Sequence, residues 1–139
     1  MLSRAAAAVA RRIAGEAEME NCLFCRIVKG EIPSEKIYED EEIFAFHDIN
    51  PIAAVHFIII PKQHIGSLME ADMRHQLVLG RMLAKANELA RSQGLEEGFR
   101  AIINSGRIGQ QEVYHLHAHI LGGSEPLGPM LKRSLRGIG

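Results

Sequence analysis

Tyr114-His115-Leu116-His117-Ala118-His119-Ile120-Leu121 is the stretch that decides the fold. Polar and apolar residues alternate through it without a break. Side chains of a β-strand alternate between two faces, so a strand puts His115, His117 and His119 on one face and Leu116, Ala118 and Ile120 on the other. A helix would turn His117 away from its two neighbours. The alternation therefore predicts a strand from Val113 to Leu121 that carries three imidazoles side by side. Imidazole serves as nucleophile, acid or donor near neutral pH. A neutral ring nitrogen can attack phosphorus while neighbouring rings donate to the charged oxygens and help protonate the leaving group. Imidazole is also the commonest side-chain metal ligand. The spacing alone leaves catalysis and metal binding equally open, with a solvated strand face behind both.

Working outward, Ser105 to Gln111 is a polar loop in which Gly106 and Gly109 let backbone N–H groups approach an anion. Phe99 to Asn104 predicts a strand. Glu70 to Gln93 predicts a long helix, with Leu79, Met82, Leu83, Ala86 and Ala90 at helical spacing and Gly94 as the stop. His56 to Ile60 is a β-branched run closed by Pro61, and it predicts a central strand. Ile37 to Glu39 and Ile43 to His47 predict two strands around an acidic turn. Leu23, Phe24, Ile27 and Val28 form the apolar face of a short helix capped by Asn21 and ended by Gly30. His75 reads as a solvated surface residue. This order of elements predicts an α+β domain, an antiparallel sheet with one long and one short helix on one side.

A chain of 139 residues with 47% hydrophobic and 24% charged residues suits one globular domain. A net charge of −1 supplies no field that would recruit nucleic acid or an anionic membrane, so neither is an expected partner. Apolar runs such as Phe57 to Ile60 are too short to span a bilayer. Cys22 and Cys25 lie too close together to staple a fold, which implies a reducing compartment and a cytoplasmic location. Residues 1–20 read as an extension ahead of a domain spanning 21–139, with a tail from about 122. Met1 to Ala14 is Ala-rich, carries Arg4, Arg11 and Arg12, and has no acid before Glu16. It is either a frayed helical extension or a mitochondrial presequence. Cys22-Leu23-Phe24-Cys25 admits three readings: two zinc ligands, a redox pair or incidental buried thiols. The lack of a thioredoxin-like βαβ context demotes the second.

His115 to Leu121 has the form His-φ-His-φ-His-φ-φ and resembles the signature of the histidine-triad family. Cys22 to Pro51 resembles the amino-terminal half of that family, His56 to Ile65 its central strand and following loop, and Asn104 to Gly123 its phosphate loop and triad. Gly122 to Leu131 resembles the tail of bacterial members of the Hint branch. The resemblance covers about residues 21 to 131. It implies a homodimer with a sheet continued across the two copies, and hydrolysis of purine nucleoside phosphoramidates through a nucleotidyl-histidine. Other branches imply the alternatives: dinucleoside polyphosphate hydrolysis, nucleotidyl transfer, or a non-catalytic nucleotide-sensing role. Transferase members carry Gln at the third triad position, so His119 favours a hydrolase.

By the same resemblance His117 is the nucleophile, His119 contacts phosphate and His56 supports the site. Leu23, Phe24, Ile27, Phe46, His47 and Ile49 match a base pocket, although composition alone reads Phe24, Ile27 and Phe46 as core. Asp48 matches the carboxylate that accepts the ribose hydroxyls, and Asn104, Gln111, Glu112 and Val113 match the phosphate side. No cofactor is implied for catalysis. Some members hold a structural zinc with positions that here are Cys22, Cys25, His64 and His115. Two departures stand out: animal members carry Ser where this chain has Glu112 and Gly where it has Gln110. Bacterial-type members share the Glu. The tail also lacks the Trp of animal members, which puts selectivity for the leaving group in question.

Overall fold

The computed structural model describes residues 19–131. The extension up to residue 18, with its presequence reading, and the tail from 132 lie outside the described residues. Helix α1 is Leu23–Val28. Strands β1 (Lys36–Glu39), β2 (Ile43–His47) and β3 (Val55–Pro61) follow, then helix α2 (Gln76–Ser92), β4 (Arg100–Ile102) and β5 (Ala118–Gly122). The strands form one five-stranded sheet in the order β1-β2-β3-β5-β4, every pair antiparallel.

Period-two alternation along β2, β3 and β5 gives the sheet two apolar faces. Ile43, Ala45, Phe57, Ile59, Ala118 and Ile120 pack against Met82, Ala86, Leu89 and Ala90 of α2. Phe44, Phe46, Ile58 and Ile60 pack against Cys22, Phe24, Cys25 and Ile27 of α1. The two helices thus cover opposite faces, not one side as the element order suggested. The central strands are apolar on both faces, so each face needs its own cover.

Several boundaries differ from the sequence reading. The long helix begins at Gln76 and not at Glu70, because Asp72 caps a 3-10 turn over Met73–His75. Its carboxylate accepts the Arg74 N–H at 2.9 Å, and His75 Nδ1 accepts the Asp72 N–H at 3.0 Å. His75 is therefore a capping residue with a largely covered side chain, not a solvated one. The cap of α1 is Cys22 in place of Asn21, its sulfur accepting the Cys25 N–H at 3.4 Å.

The third difference bears on the triad. β5 starts at Ala118, not at Val113. Ile59↔Ala118 is the last pair of the β3–β5 ladder. Beyond it Pro61 has no N–H to offer. The chain from 113 to 117 instead ties itself to loops: Leu116 N–H donates to the Ile65 carbonyl at 2.7 Å and His115 N–H to the Val113 carbonyl at 2.9 Å. β4 is likewise shorter than Phe99 to Asn104, since it pairs with β5 only from His119 to Leu121.

Candidate active site and metal centre

His119 lies on β5 opposite Ile58 of β3 and Ile102 of β4, on the face that α1 covers. His117 arrives from the loop with its ring centroid 4.9 Å from that of His119. Its Nδ1 lies 2.7 Å from the His115 carbonyl. A carbonyl only accepts, so Nδ1 carries the proton. Burial pushes the His117 pKa below the usual histidine value, and the nearby His119 ring adds to this. A neutral ring with its proton on Nδ1 leaves a lone pair on Nε2, the form a nucleophile requires. Phe24 packs edge-on against the His117 ring at 5.1 Å and against Phe46 at 5.5 Å, which fixes the ring's tilt.

His56, on the same face of β3, lies beside His119: its Nε2 is 2.9 Å from His119 Nδ1 and 3.4 Å from Asp48 Oδ2. The Ile52 N–H donates to His56 Nδ1 at 3.2 Å. Burial lowers the pKa of both His56 and His119, against the partial pull of Asp48. Asp48 is held in turn, its Oδ1 accepting the Asn50 N–H at 2.8 Å and its own N–H donating to the His56 carbonyl at 3.0 Å. A cleft of about 360 Å³ beside Asp48 and His56 is lined by Glu35, His47, Val55 and Gln93 and by none of the triad histidines.

The first triad histidine belongs to a different cluster. His115 Nδ1 lies 3.3 Å from Cys22 Sγ, 3.5 Å from Cys25 Sγ and 3.2 Å from His64 Nδ1, and Cys25 Sγ lies 3.4 Å from His64 Nδ1. A tetrahedral ion with Zn–S near 2.3 Å and Zn–N near 2.0–2.1 Å has S···N and N···N edges of about 3.3–3.6 Å. The donor atoms therefore already stand close to a tetrahedral cage. The Pro61 carbonyl, 2.8 Å from His115 Nε2, keeps the proton on that nitrogen and leaves Nδ1 bare toward the cluster. Burial holds His115 down to about 4, and pushes the Cys25 thiol up to about 12. Such a thiol ionises only when a cation supplies the compensating charge. The four side chains fit a structural zinc, and His117 is not among them.

Gln111 spends its whole side chain on the loop. Its Oε1 accepts the Gly106 N–H at 2.9 Å, and its Nε2 donates to the Gly66 and Val113 carbonyls at 2.7 and 3.0 Å. Glu70 braces the same region, accepting from Tyr114 Oη at 2.6 Å and from the Gly66 N–H at 3.1 Å. Gln110 takes a left-handed φ of +57°, a conformation that favours glycine. Glu112 is exposed, and its charge opposes the lowering of the His117 and His119 pKa values.

The remaining expected residues are placed unevenly. Leu23 lies part-exposed on α1, Ile27 is buried beneath it, and Val113 packs against the same cluster. Ile49 is 88% exposed beyond β2, and Asn104 is half-buried where β4 enters the loop. His47 pairs with Phe57, so its side chain leaves the sheet on the α2 face, away from the triad. The reading from sequence missed the Ile52 amide and the Pro61 carbonyl. Backbone groups carry no residue signature, so only the tertiary structure brings them to His56 and His115.

A family model described as "Scavenger mRNA decapping enzyme C-term binding" matches residues 21–133. The chain is 45% identical over 113 residues to a purine nucleoside phosphoramidase of Escherichia coli K12, covering 81% of this chain and 94% of the relative. It is 49% identical over 105 residues to a 14 kDa zinc-binding protein of Zea mays, covering 74% and 82%. The solved structure of a HIT family hydrolase from Legionella pneumophila superposes with a TM-score of 0.75 at 44% identity, covering 78% of this chain and 98% of that one. With three histidines spaced by single apolar residues, a five-stranded antiparallel sheet and these relatives, the chain belongs to the histidine-triad family.

Proposed function

We propose that the protein hydrolyses the P–N bond of purine nucleoside phosphoramidates through a nucleotidyl-His117 intermediate. The observation that carries this is the His117 Nδ1–H donated to the His115 carbonyl at 2.7 Å, which frees Nε2 for attack. Nε2 attacks the α-phosphorus, the P–N bond breaks, and the amine leaves as it takes up a proton. Water then attacks the same phosphorus, releasing the nucleoside monophosphate and returning the imidazole. His119 donates to the non-bridging oxygens, and the Gly106–Val113 loop offers backbone N–H groups to the phosphate. Asp48 accepts the ribose hydroxyls, and the purine lies against Leu23, Ile27, Phe46 and Ile49. The relative named a purine nucleoside phosphoramidase supports this substrate class.

The Cys22, Cys25, His64 and His115 cluster holds a structural zinc in this reading, supported by its donor spacing and by the relative named as zinc-binding. When bound, the metal ties α1 to the segment that enters β5. β4 is an edge strand with Ala101 exposed, and it supports a homodimer in which two such edges pair. Among the described residues no helix is long and apolar enough to cross a membrane.

The test is release of AMP from an adenosine 5′-phosphoramidate, set beside release from a diadenosine polyphosphate. Rapid denaturation during turnover should leave protein heavier by one nucleotidyl group, attached at His117. A modified residue elsewhere, or preferred cleavage of the polyphosphate, would replace the phosphoramidase reading with one of the other family activities.

A further inference from the structure

A backbone N–H can only donate. The Ile52 amide 3.2 Å from His56 Nδ1 therefore makes that nitrogen the acceptor, and the single proton of the neutral ring belongs to Nε2. That one N–H is shared with His119 Nδ1 at 2.9 Å, and the Asp48 carboxylate lies beside it, its Oδ2 at 3.4 Å as an ion-pair neighbour. We propose that His56 is a positioning residue that couples capture of the ribose at Asp48 to the alignment of His119 on the phosphate. The proposal rests on the reading of Asp48 as the ribose acceptor and of His119 as the phosphate donor.

An ionised carboxylate is a stronger acceptor than a neutral imidazole. With no sugar bound, the His56 N–H rests on His119 Nδ1 at 2.9 Å, while the charge of Asp48 at 3.4 Å competes for it and weakens that bond. The Asn50 and His56 backbone contacts keep the carboxylate from swinging away. Two ribose hydroxyls donating to Asp48 spread its charge over new bonds and weaken its claim on that proton. The bond from the His56 N–H to His119 Nδ1 then strengthens. This fixes the His119 ring with its own proton on Nε2, the atom left to meet the phosphate. Contact energy at the sugar, remote from the reacting phosphorus, is thereby spent on the chemical step as well as on binding.

The experiment measures single-turnover rate at saturating substrate, and KM, for a ribose and a 2′,3′-dideoxyribose purine phosphoramidate with the full chain. In the wild type the dideoxy substrate should lose roughly tenfold in single-turnover rate besides its rise in KM. In His56→Leu the rate should be lower for both substrates and equal between them, and in His56→Gln, which keeps a donor, the difference should return. Asp48→Asn should remove the difference as well. Independently of any variant, ¹⁵N NMR of the wild type should show the His119 Nδ1 signal moving with AMP and not with 2′,3′-dideoxy-AMP. A dideoxy penalty confined to KM would leave ribose capture at Asp48 in place and overturn the coupling. The same rate penalty in His56→Leu as in wild type would overturn it too. No change in rate or KM would remove the ribose role of Asp48, and the proposal with it.

Discussion

The His115 carbonyl accepts the Nδ1–H of His117 at 2.7 Å, so two histidines of one motif have unlike duties. His115 turns its ring to the cysteines and its carbonyl to His117. His117 keeps a free Nε2. Replacing the proposed nucleophile should therefore remove chemistry without removing the site. His117→Ala is expected to show no measurable turnover and nucleotide affinity within about threefold of wild type by calorimetry, since Asp48 and the apolar slot remain. Unchanged turnover would take His117 out of the mechanism.

Metal content is the next expectation. The purified chain should carry one zinc per protomer by elemental analysis. A ligand bound at a hundred times its dissociation constant stabilises by about 2.7 kcal/mol, so chelation should lower Tm by roughly 10 °C or more. Cys25→Ser should bind the metal far more weakly and melt at the chelated temperature. Equal melting with and without chelator would assign the cluster to packing alone.

Gln111 holds three backbone groups of the phosphate loop and its surroundings. Gln111→Leu strands the Gly106 N–H and the Gly66 carbonyl at a similar volume, while the Val113 carbonyl keeps the His115 N–H. Each part-buried group left without a partner costs about 1–3 kcal/mol. Denaturant unfolding should show a loss of about 2–6 kcal/mol for the two, with kcat/KM falling at least about tenfold as the loop loses its shape. Loss of stability with full kcat/KM would free the loop from any part in catalysis.

Two adjacent loop positions should respond in opposite directions. A Cβ at Gly109 would lie 2.7 Å from both the Ser105 nitrogen and oxygen, so Gly109→Ala forces the backbone apart and should cost about 1–3 kcal/mol. Gln110→Gly relieves a left-handed residue, at φ +57°, but adds unfolded-chain freedom. Its net effect should be a gain of no more than about 1 kcal/mol. Thermal melts of the two variants check the pair.

Burial lowers the pKa of His56 and His119 from the 6.5 of an ordinary histidine, although Asp48, and for His119 also Glu112, pull the other way. Below pH 6.5 the unfolded chain takes up protons that these folded rings still refuse. Stability from this source is thus full above that value and falls as pH drops toward the lowered folded values. Tm should fall between pH 7 and about 5, and His56→Gln should flatten part of the decline. A Tm that rises on acidification would mean that the rings bind protons more tightly when folded.

Some of this was readable from residues one at a time. Pro61 closed β3 and Gly94 ended α2 where their backbone chemistry required it, and the apolar run after the acidic turn at Asp40 and Glu41 located β2 from Ile43 to His47. The capping box Asp72–His75 is also written in the chain, yet the apolar spacing around it predicts continuous helix. Periodicity reports which face a residue would take, whereas a cap decides where the helix can start.

By itself the sequence determined the spacing of three imidazoles, the cysteine pair and the glycines of the loop, and with them the family. It could not determine that only His119 of the triad sits on a strand. Alternation dictates facing only where a partner strand holds the backbone extended, and the ladder stops at Ile59↔Ala118. Past that point contacts between residues distant in the chain decide. Cys22 and His115 meet across 93 positions, and His56 and His119 across 63, once the sheet has brought β3 beside β5. That pairing sets His115 against the cysteines, His117 in the loop and His119 on β5.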